Sequence, residues 1–215
     1  MPRPGKSPFR HSNQRRRPFR GPTPPNVYQT IHLGVGDGRG VSSNAVRFPA
    51  RKYAAIDLLY MPHRSAPTGI DKRASSERMK SSGVDLKADN IQDGLRKIIE
   101  AGKKTRNVTW DMPSLYNATT VSNVLKMLPQ VLLPNGKLYF TSEHKPYIHQ
   151  IQEEAPALGL SVRTRTLTRE EAAHRTFFTN ALKDIRGGIQ LVEVTYRLKK
   201  ALPRKKARKA WPVKT

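Results

Sequence analysis

The chain has 215 residues, enough for one domain of ordinary size with length left over at its ends. Its 40 Lys+Arg against 16 Asp+Glu give a formal net charge of +24, an excess that attracts polyanions, a nucleic acid ahead of an anionic membrane surface. Cysteine is absent, which excludes disulfides, thiolate metal sites and cysteine catalysis.

Residues 1–26 carry seven prolines and seven Lys+Arg but no acid; the first acidic residue is Asp37. Proline at that density opposes a helix, and too little apolar surface is present to offset the entropy of ordering, so a disordered tail is expected. Arg15, Arg16 and Arg17, with Phe9 and Phe19 nearby, suit phosphate contacts and base stacking. The rival readings are a solvated solubility tail or a targeting signal, though a mitochondrial presequence would need the amphipathic helix that these prolines oppose. Residues 199–215 are a second basic segment of the same kind. Between the tails lies one folded unit, 27–198. No stretch approaches the roughly 18 apolar residues of a membrane span, and no apolar signal core follows Met1. The expected location is the cytoplasm.

Within 27–198 short strands alternate with helices, the mark of a mostly parallel sheet. Tyr28 to Gly40 opens it: Ile31, Leu33 and Val35 lead into glycines 34, 36, 38 and 40, which reads as strand, loop and helix start. Val41 to Phe48 is the expected first helix. Arg51 to Tyr60 is a second strand containing Asp57, and 62–82 a loop with part of a helix. Val84 to Leu86 is a brief third strand, followed by Asp89 and Asn90. Ile91 to Ala101 has helical spacing, Asn107 to Asp111 is a fourth strand, and Val121 to Leu133 a helix. Pro134-Asn135-Gly136 reads as a turn before a fifth strand, Lys137 to Thr141. A helix from Tyr147 to Leu158 is broken or started near Pro146. Leu160 to Leu167 and Ile189 to Leu198 close the sheet as its sixth and seventh strands.

In a doubly wound sheet, ligands sit beyond the carboxyl ends of the strands. Gly34, Asp57, Asp89 and Asp111 all fall at such ends. Asp57 is suited to both hydroxyls of a ribose, Asp89 to an adenine amino group, and Asp111 to a reacting centre. The plainer alternative for each is a solvated loop acid or a helix N-cap, and Asp89 before Ile91 fits a cap well.

At these residues the chain resembles the Rossmann-like S-adenosylmethionine-dependent methyltransferases. The resemblance runs from about Tyr28 to Leu198. It is carried by HLGVGDG (32–38), AAIDLL (54–59), KADN (87–90), VTWDMP (108–113) and LPQVLLPNGKLYFTSE (128–143). Within that superfamily it is most similar to the tRNA guanine-N7 methyltransferases, through NAVRFPARKYAAID, LYFTSEHKPY and TNALKDIRGGIQLVEV. The resemblance implies S-adenosylmethionine as cofactor, held by His32, Gly34, Val35, Gly36, Asp57, Leu58, Asp89 and Asn90. It implies RNA, a tRNA or rRNA, as partner, with Pro113, Glu143, Lys145, Tyr147 and Thr179 on the substrate side, Asp111 at the catalytic position and no metal. The chain departs from the pattern in three places. His32 stands where an acid normally precedes the loop glycines, Trp110-Asp111-Met112-Pro113 replaces Pro-Asp-Pro-Trp, and Leu182 replaces a glutamate. A carboxylate would bind the amino group of the methionine part better than an imidazole does. A second class of function therefore stays open, a non-catalytic RNA- or ribosome-binding protein on this fold; a third reading is a protein methyltransferase.

Other motifs are weaker. No GxxxxGK[ST] loop exists, and Arg39 or Val41 falls where GxGxxG needs its last glycine. His144 and His149 are five apart, the wrong spacing for one helix face and for a zinc pair. Trp110 suits base stacking or core packing equally.

Overall fold

Seven strands form a single sheet in the computed structural model, which describes residues 24–67, 69–111, 117–173 and 188–197. The strands are β1 (Val27–Leu33), β2 (Tyr53–Ile56), β3 (Asp85–Lys87), β4 (Lys104–Asp111), β5 (Leu132–Ser142), β6 (Leu160–Thr166) and β7 (Gln190–Tyr196). Their order is β3-β2-β1-β4-β5-β7-β6. β1 to β5 pair in parallel, and β7 inserts antiparallel between β5 and β6. The helices are α1 (Arg39–Arg47), α2 (Lys72–Ser81), α3 (Ile91–Glu100), α4 (Ala118–Val131), α5 (Lys145–Ala157) and the short α6 (Arg169–Ala173).

Side chains alternate across a strand, so each strand serves two environments. Ile31, Leu33, Ala54, Ile56, Val108, Trp110, Leu138 and Phe140 form the larger core with buried residues of α3, α4 and α5. Gly94 of α3 lets that helix close on β2, since a Cβ there would stand 2.4 Å from Ile56. A smaller core unites Tyr53 and Ala55 with Val41 and Ala45 of α1 and Met79 of α2. The alternate positions of β1, β4 and β5 are polar: His32, Thr109, Asp111, Lys137 and Thr141. Of these, His32, Thr109, Asp111 and Thr141 lie toward the carboxyl ends of their strands.

Several boundaries differ from expectation for local reasons. β2 stops at Ile56 because Asp57 accepts from the Leu59 amide and winds Leu58–Tyr60 into a 3₁₀ turn. Asp71 and Asn117, neither an apolar residue, cap α2 and α4 and set their starts. β3 is displaced by one residue, to Asp85–Lys87, and β4 begins earlier, at Lys104. Pro134-Asn135-Gly136 does not precede β5 but lies within it as a bulge: Thr105 pairs with Leu132 and Asn107 with Lys137, and Asn135 takes a φ of 62°. Pro146 starts α5 rather than breaking it, standing in the first turn where a missing N–H costs nothing. The tails fall outside the described residues, apart from 24–26.

Candidate functional site

Parallel pairing of β1 to β4 brings the glycine loop, Asp57, Asp89 and Asp111 to one rim of the sheet, at the strands' carboxyl ends. Gly34 and Gly36 both take positive φ, 68° and 56°, which lets the chain leave β1 and pass over β2. Asp57 holds that loop. Its Oδ2 accepts from the Gly36 amide at 2.9 Å, its Oδ1 from the Leu59 amide at 2.8 Å, and the Val35 amide also bonds to it. Only 6% of Asp57 is exposed. Burial raises its carboxyl above the ordinary range, and the three amide bonds pull it back. Tyr60 donates its hydroxyl to the Gly36 carbonyl at 2.5 Å. Its pKa is pushed up to about 12, chiefly by burial, so it remains a donor. Val35 turns its side chain into the smaller core.

His32 lies one strand position before the end of β1. Its Nδ1 is 2.8 Å from Thr109 Oγ1 on β4, while its Nε2 is sealed from solvent without a hydrogen-bond partner. Burial lowers its pKa to about 4, so the ring is neutral at neutral pH. A neutral imidazole with Nδ1 taken has one remaining polar atom to offer a ligand.

The remaining carboxylates are set differently. Asp89 pairs with Lys97 of α3 at 2.8 Å. The cap of α3 is Asn90, whose side chain accepts from the Asp93 amide, and not Asp89. Asp111 ends β4 opposite Thr141, which donates to its Oδ1 at 2.6 Å. Just beyond β5, the His144 amide donates to Ser142 Oγ, and the His144 ring stands edge-on to Tyr147 at 5.7 Å. Glu143 lies 3.7 Å from the His144 ring, and Lys145, exposed, begins α5. Pro113 and Thr179 lie outside the described residues, as do Met112 and Leu182. Trp110 resolves in favour of packing: it is 1% exposed and meets Phe140 edge-on.

No family model matches the chain, and no curated protein matches it. Solved structures do. It is similar to the 16S rRNA methyltransferase KamB, with a TM-score of 0.53 and 15% identity over 80% of this chain and 88% of that one. It is similar to the fibrillarin pre-rRNA processing protein of Methanococcus jannaschii, with a TM-score of 0.54 and 10% identity over 80% and 68%. SMU.776, solved with SAH, gives 0.50 and 9% over 78% of this chain and 44% of that one. The chain has the Rossmann-like methyltransferase fold. At such identities the likeness establishes architecture and nothing finer.

On that fold, three rim residues had no signal of their own in the sequence. Thr109, Thr141 and Tyr60 act only through neighbours distant in the chain, His32, Asp111 and Gly36. The alternation Asn107-Val108-Thr109-Trp110-Asp111 was the one available hint, since it places polar side chains on a single face. Among the described residues no group of three His, Asp or Glu could hold a metal, and no helix is long and apolar enough to cross a membrane.

Proposed function

We propose that the protein is an S-adenosylmethionine-dependent methyltransferase acting on RNA, with a tRNA guanine N7 as the methyl acceptor. The observation that carries this reading is the glycine loop clamped by Asp57 at the carboxyl rim of a sheet ordered β3-β2-β1-β4-β5-β7-β6. The residues fit an adenosyl group. A Cβ at Gly34 would meet no atom within 4 Å, so the loop is open on that side. A carboxylate has about four acceptor sites; three of those on Asp57 take the amides of Gly36, Leu59 and Val35, and the one left suits a ribose hydroxyl. Leu58 offers an apolar surface to the base, and Asp89 and Asn90 polar atoms to its edge. His32 Nε2, buried without a partner, suits a polar group of the methionine end.

S-adenosylmethionine, when bound, supplies a methyl already activated by its sulfonium, so this chain's task is to position the acceptor. Guanine N7 carries no proton, and no general base is required. Asp111, oriented by Thr141, and Glu143 would accept from the donor edge of the guanine. Lys145 would meet a phosphate, and Tyr147, with Pro113 and Thr179, would line the acceptor side.

A second reading is favoured by one residue. His32 puts a neutral ring where a carboxylate would grip the cofactor's amino group, which suits an RNA-binding protein that transfers no methyl. Titration calorimetry separates the two: binding of S-adenosylmethionine is expected, and no heat at near-millimolar cofactor ends the enzyme reading. Transfer of labelled methyl into bulk tRNA, followed by nucleoside mapping, then tests the acceptor. Label in N7-methylguanosine is the expected result.

A further inference from the structure

The opposite rim of the sheet, at the amino ends of the parallel strands, has a different composition. Arg51, Lys52, Lys103, Lys104, Arg106 and Lys137 all lie there. Arg51, Arg106 and Lys137 line a groove of about 350 Å³ together with Gln29, Asn107 and Tyr139, under the β5 bulge at Pro134-Asn135-Gly136. None of the described residues lining it is acidic. Lys137 is paired at 2.7 Å with Glu193, just beside the groove. Beyond Arg51 the basic surface continues to Phe48, whose ring is flanked by Arg51 at 4.4 Å and Arg47 at 5.3 Å.

Topology adds a second observation. β1 starts at this rim, and β7, running antiparallel, ends at it, with Thr195 opposite Lys137. Residues 1–23, with seven Lys+Arg, and 198–215, with eight, therefore both join the fold at the basic rim, and neither holds an acid. Like charge makes them unsuited to occupy the groove themselves; an external polyanion suits the groove and both tails together. β4 spans the sheet in eight residues, which sets the two rims roughly 25 Å apart at the usual strand rise.

We propose that the amino-end rim is a docking surface for the phosphate backbone of a folded RNA, gripped by Arg51, Arg106 and Lys137. A second part, resting on the methyltransferase reading, follows from the separation: the substrate is an RNA large enough to reach both rims, not a short oligonucleotide. Lysine and arginine neutralise phosphates, Asn107 and Gln29 can bond sugar or phosphate oxygens, and the Arg–Phe–Arg stack offers a face to an unpaired base.

The test is fluorescence anisotropy of the full chain with labelled bulk tRNA and with a short oligouridine, over a range of salt. Arg51→Gln with Arg106→Gln is expected to weaken tRNA binding at least tenfold at physiological salt. It should flatten the slope of log affinity against log salt by about 2. Arg73→Gln with Arg96→Gln, which removes equal charge from the exposed faces of α2 and α3, is expected to cost less than threefold. Equal losses from the two pairs would overturn the docking surface. Asn135→Asp, at the exposed lip of the groove, keeps the test decisive if the arginine pair does not fold: a loss of about threefold supports the proposal and none opposes it. Tighter binding to phosphatidylserine vesicles than to tRNA would assign the rim to a membrane and overturn it as well. Oligouridine is expected to bind at least tenfold more weakly than tRNA, and equal affinity would remove the bridging claim. Cofactor calorimetry on the same variants should be unchanged. A protein that binds no cofactor but passes the groove test would lose the enzyme reading and keep this surface.

Discussion

The two rims of one sheet differ in their balance of charge and hold it differently. At the carboxyl rim the acids are engaged: Asp57 by loop amides, Asp89 by Lys97, Asp111 by Thr141, and Asp37 by Arg39 at 3.0 Å. At the amino rim cations outnumber acids, and the acids present, Asp85 and Glu193, are answered by Lys87 and Lys137. A buried carboxylate that accepts several amides is a positioning device, because displacing it strands donors in a low-dielectric interior. Half-exposed lysines and arginines do little for stability, because solvent screens them, yet they sum into a field that a polyanion senses at a distance. Mutations at the first rim should therefore cost stability, and mutations at the second should cost RNA binding.

The largest expected effect is at Asp57. Asp57→Ala leaves the amides of Gly36, Leu59 and Val35 without their acceptor and should destabilise the fold by about 4 kcal/mol in urea denaturation, with loss of cofactor binding. A loss below about 1 kcal/mol would mean that the loop stands without its clamp.

Next comes the buried imidazole. The folded pKa of His32 lies near 4 against 6.5 unfolded, so the unfolded chain binds the extra proton in that interval. Its contribution is complete above pH 6.5 and is lost as pH falls through about 4, by about 3 kcal/mol. Asp57, raised by burial, slopes the opposite way, losing stability as pH rises through its folded value. Comparing wild type with His32→Gln isolates the imidazole: the wild type should fall more steeply between pH 7 and pH 4. Parallel curves would contradict the buried, neutral ring.

A smaller effect separates stability from binding within the first rim. Gly34→Ala meets no neighbour within 4 Å, so only the positive φ is strained, at about 1 kcal/mol. Cofactor affinity should nevertheless drop tenfold or more, read by calorimetry, because the methyl group occupies the open side of the loop. The smallest effect belongs to the second rim: Lys137→Ala should shift stability by only about 0.5 kcal/mol, the pair with Glu193 being part-exposed. The same change should weaken tRNA binding two- to threefold. A large stability loss there would blur the contrast between the rims.

Much of the fold was legible because its signals are local. Ile91, Leu95 and Ile98 at helical spacing, and the alternation in β7, announce themselves within one window of sequence. The β5 bulge was not legible: Pro134-Asn135-Gly136 carries turn chemistry whether the chain reverses or merely kinks, and only pairing with β4 decides. Asp57 was found by its place at a strand end, but its grip on the glycine loop spans 21 residues of sequence and leaves no local trace. Asn90 took the capping position that Asp89 also fitted, a difference of one residue set by where α3 starts.

Composition and residue order alone determined a basic chain, an alternating α/β domain and a glycine loop followed by acids at intervals. They also determined that both ends are cationic and proline-bearing, since these are properties of what each segment contains. Only the tertiary structure decided that Asp57, Asp89 and Asp111 share one rim, that Arg51, Arg106 and Lys137 share the other, and that both tails join the sheet at that second rim. The reason is the strand order. Parallel crossovers bring distant strand tips to one edge, and the single antiparallel strand, β7, returns the chain to the edge where β1 began.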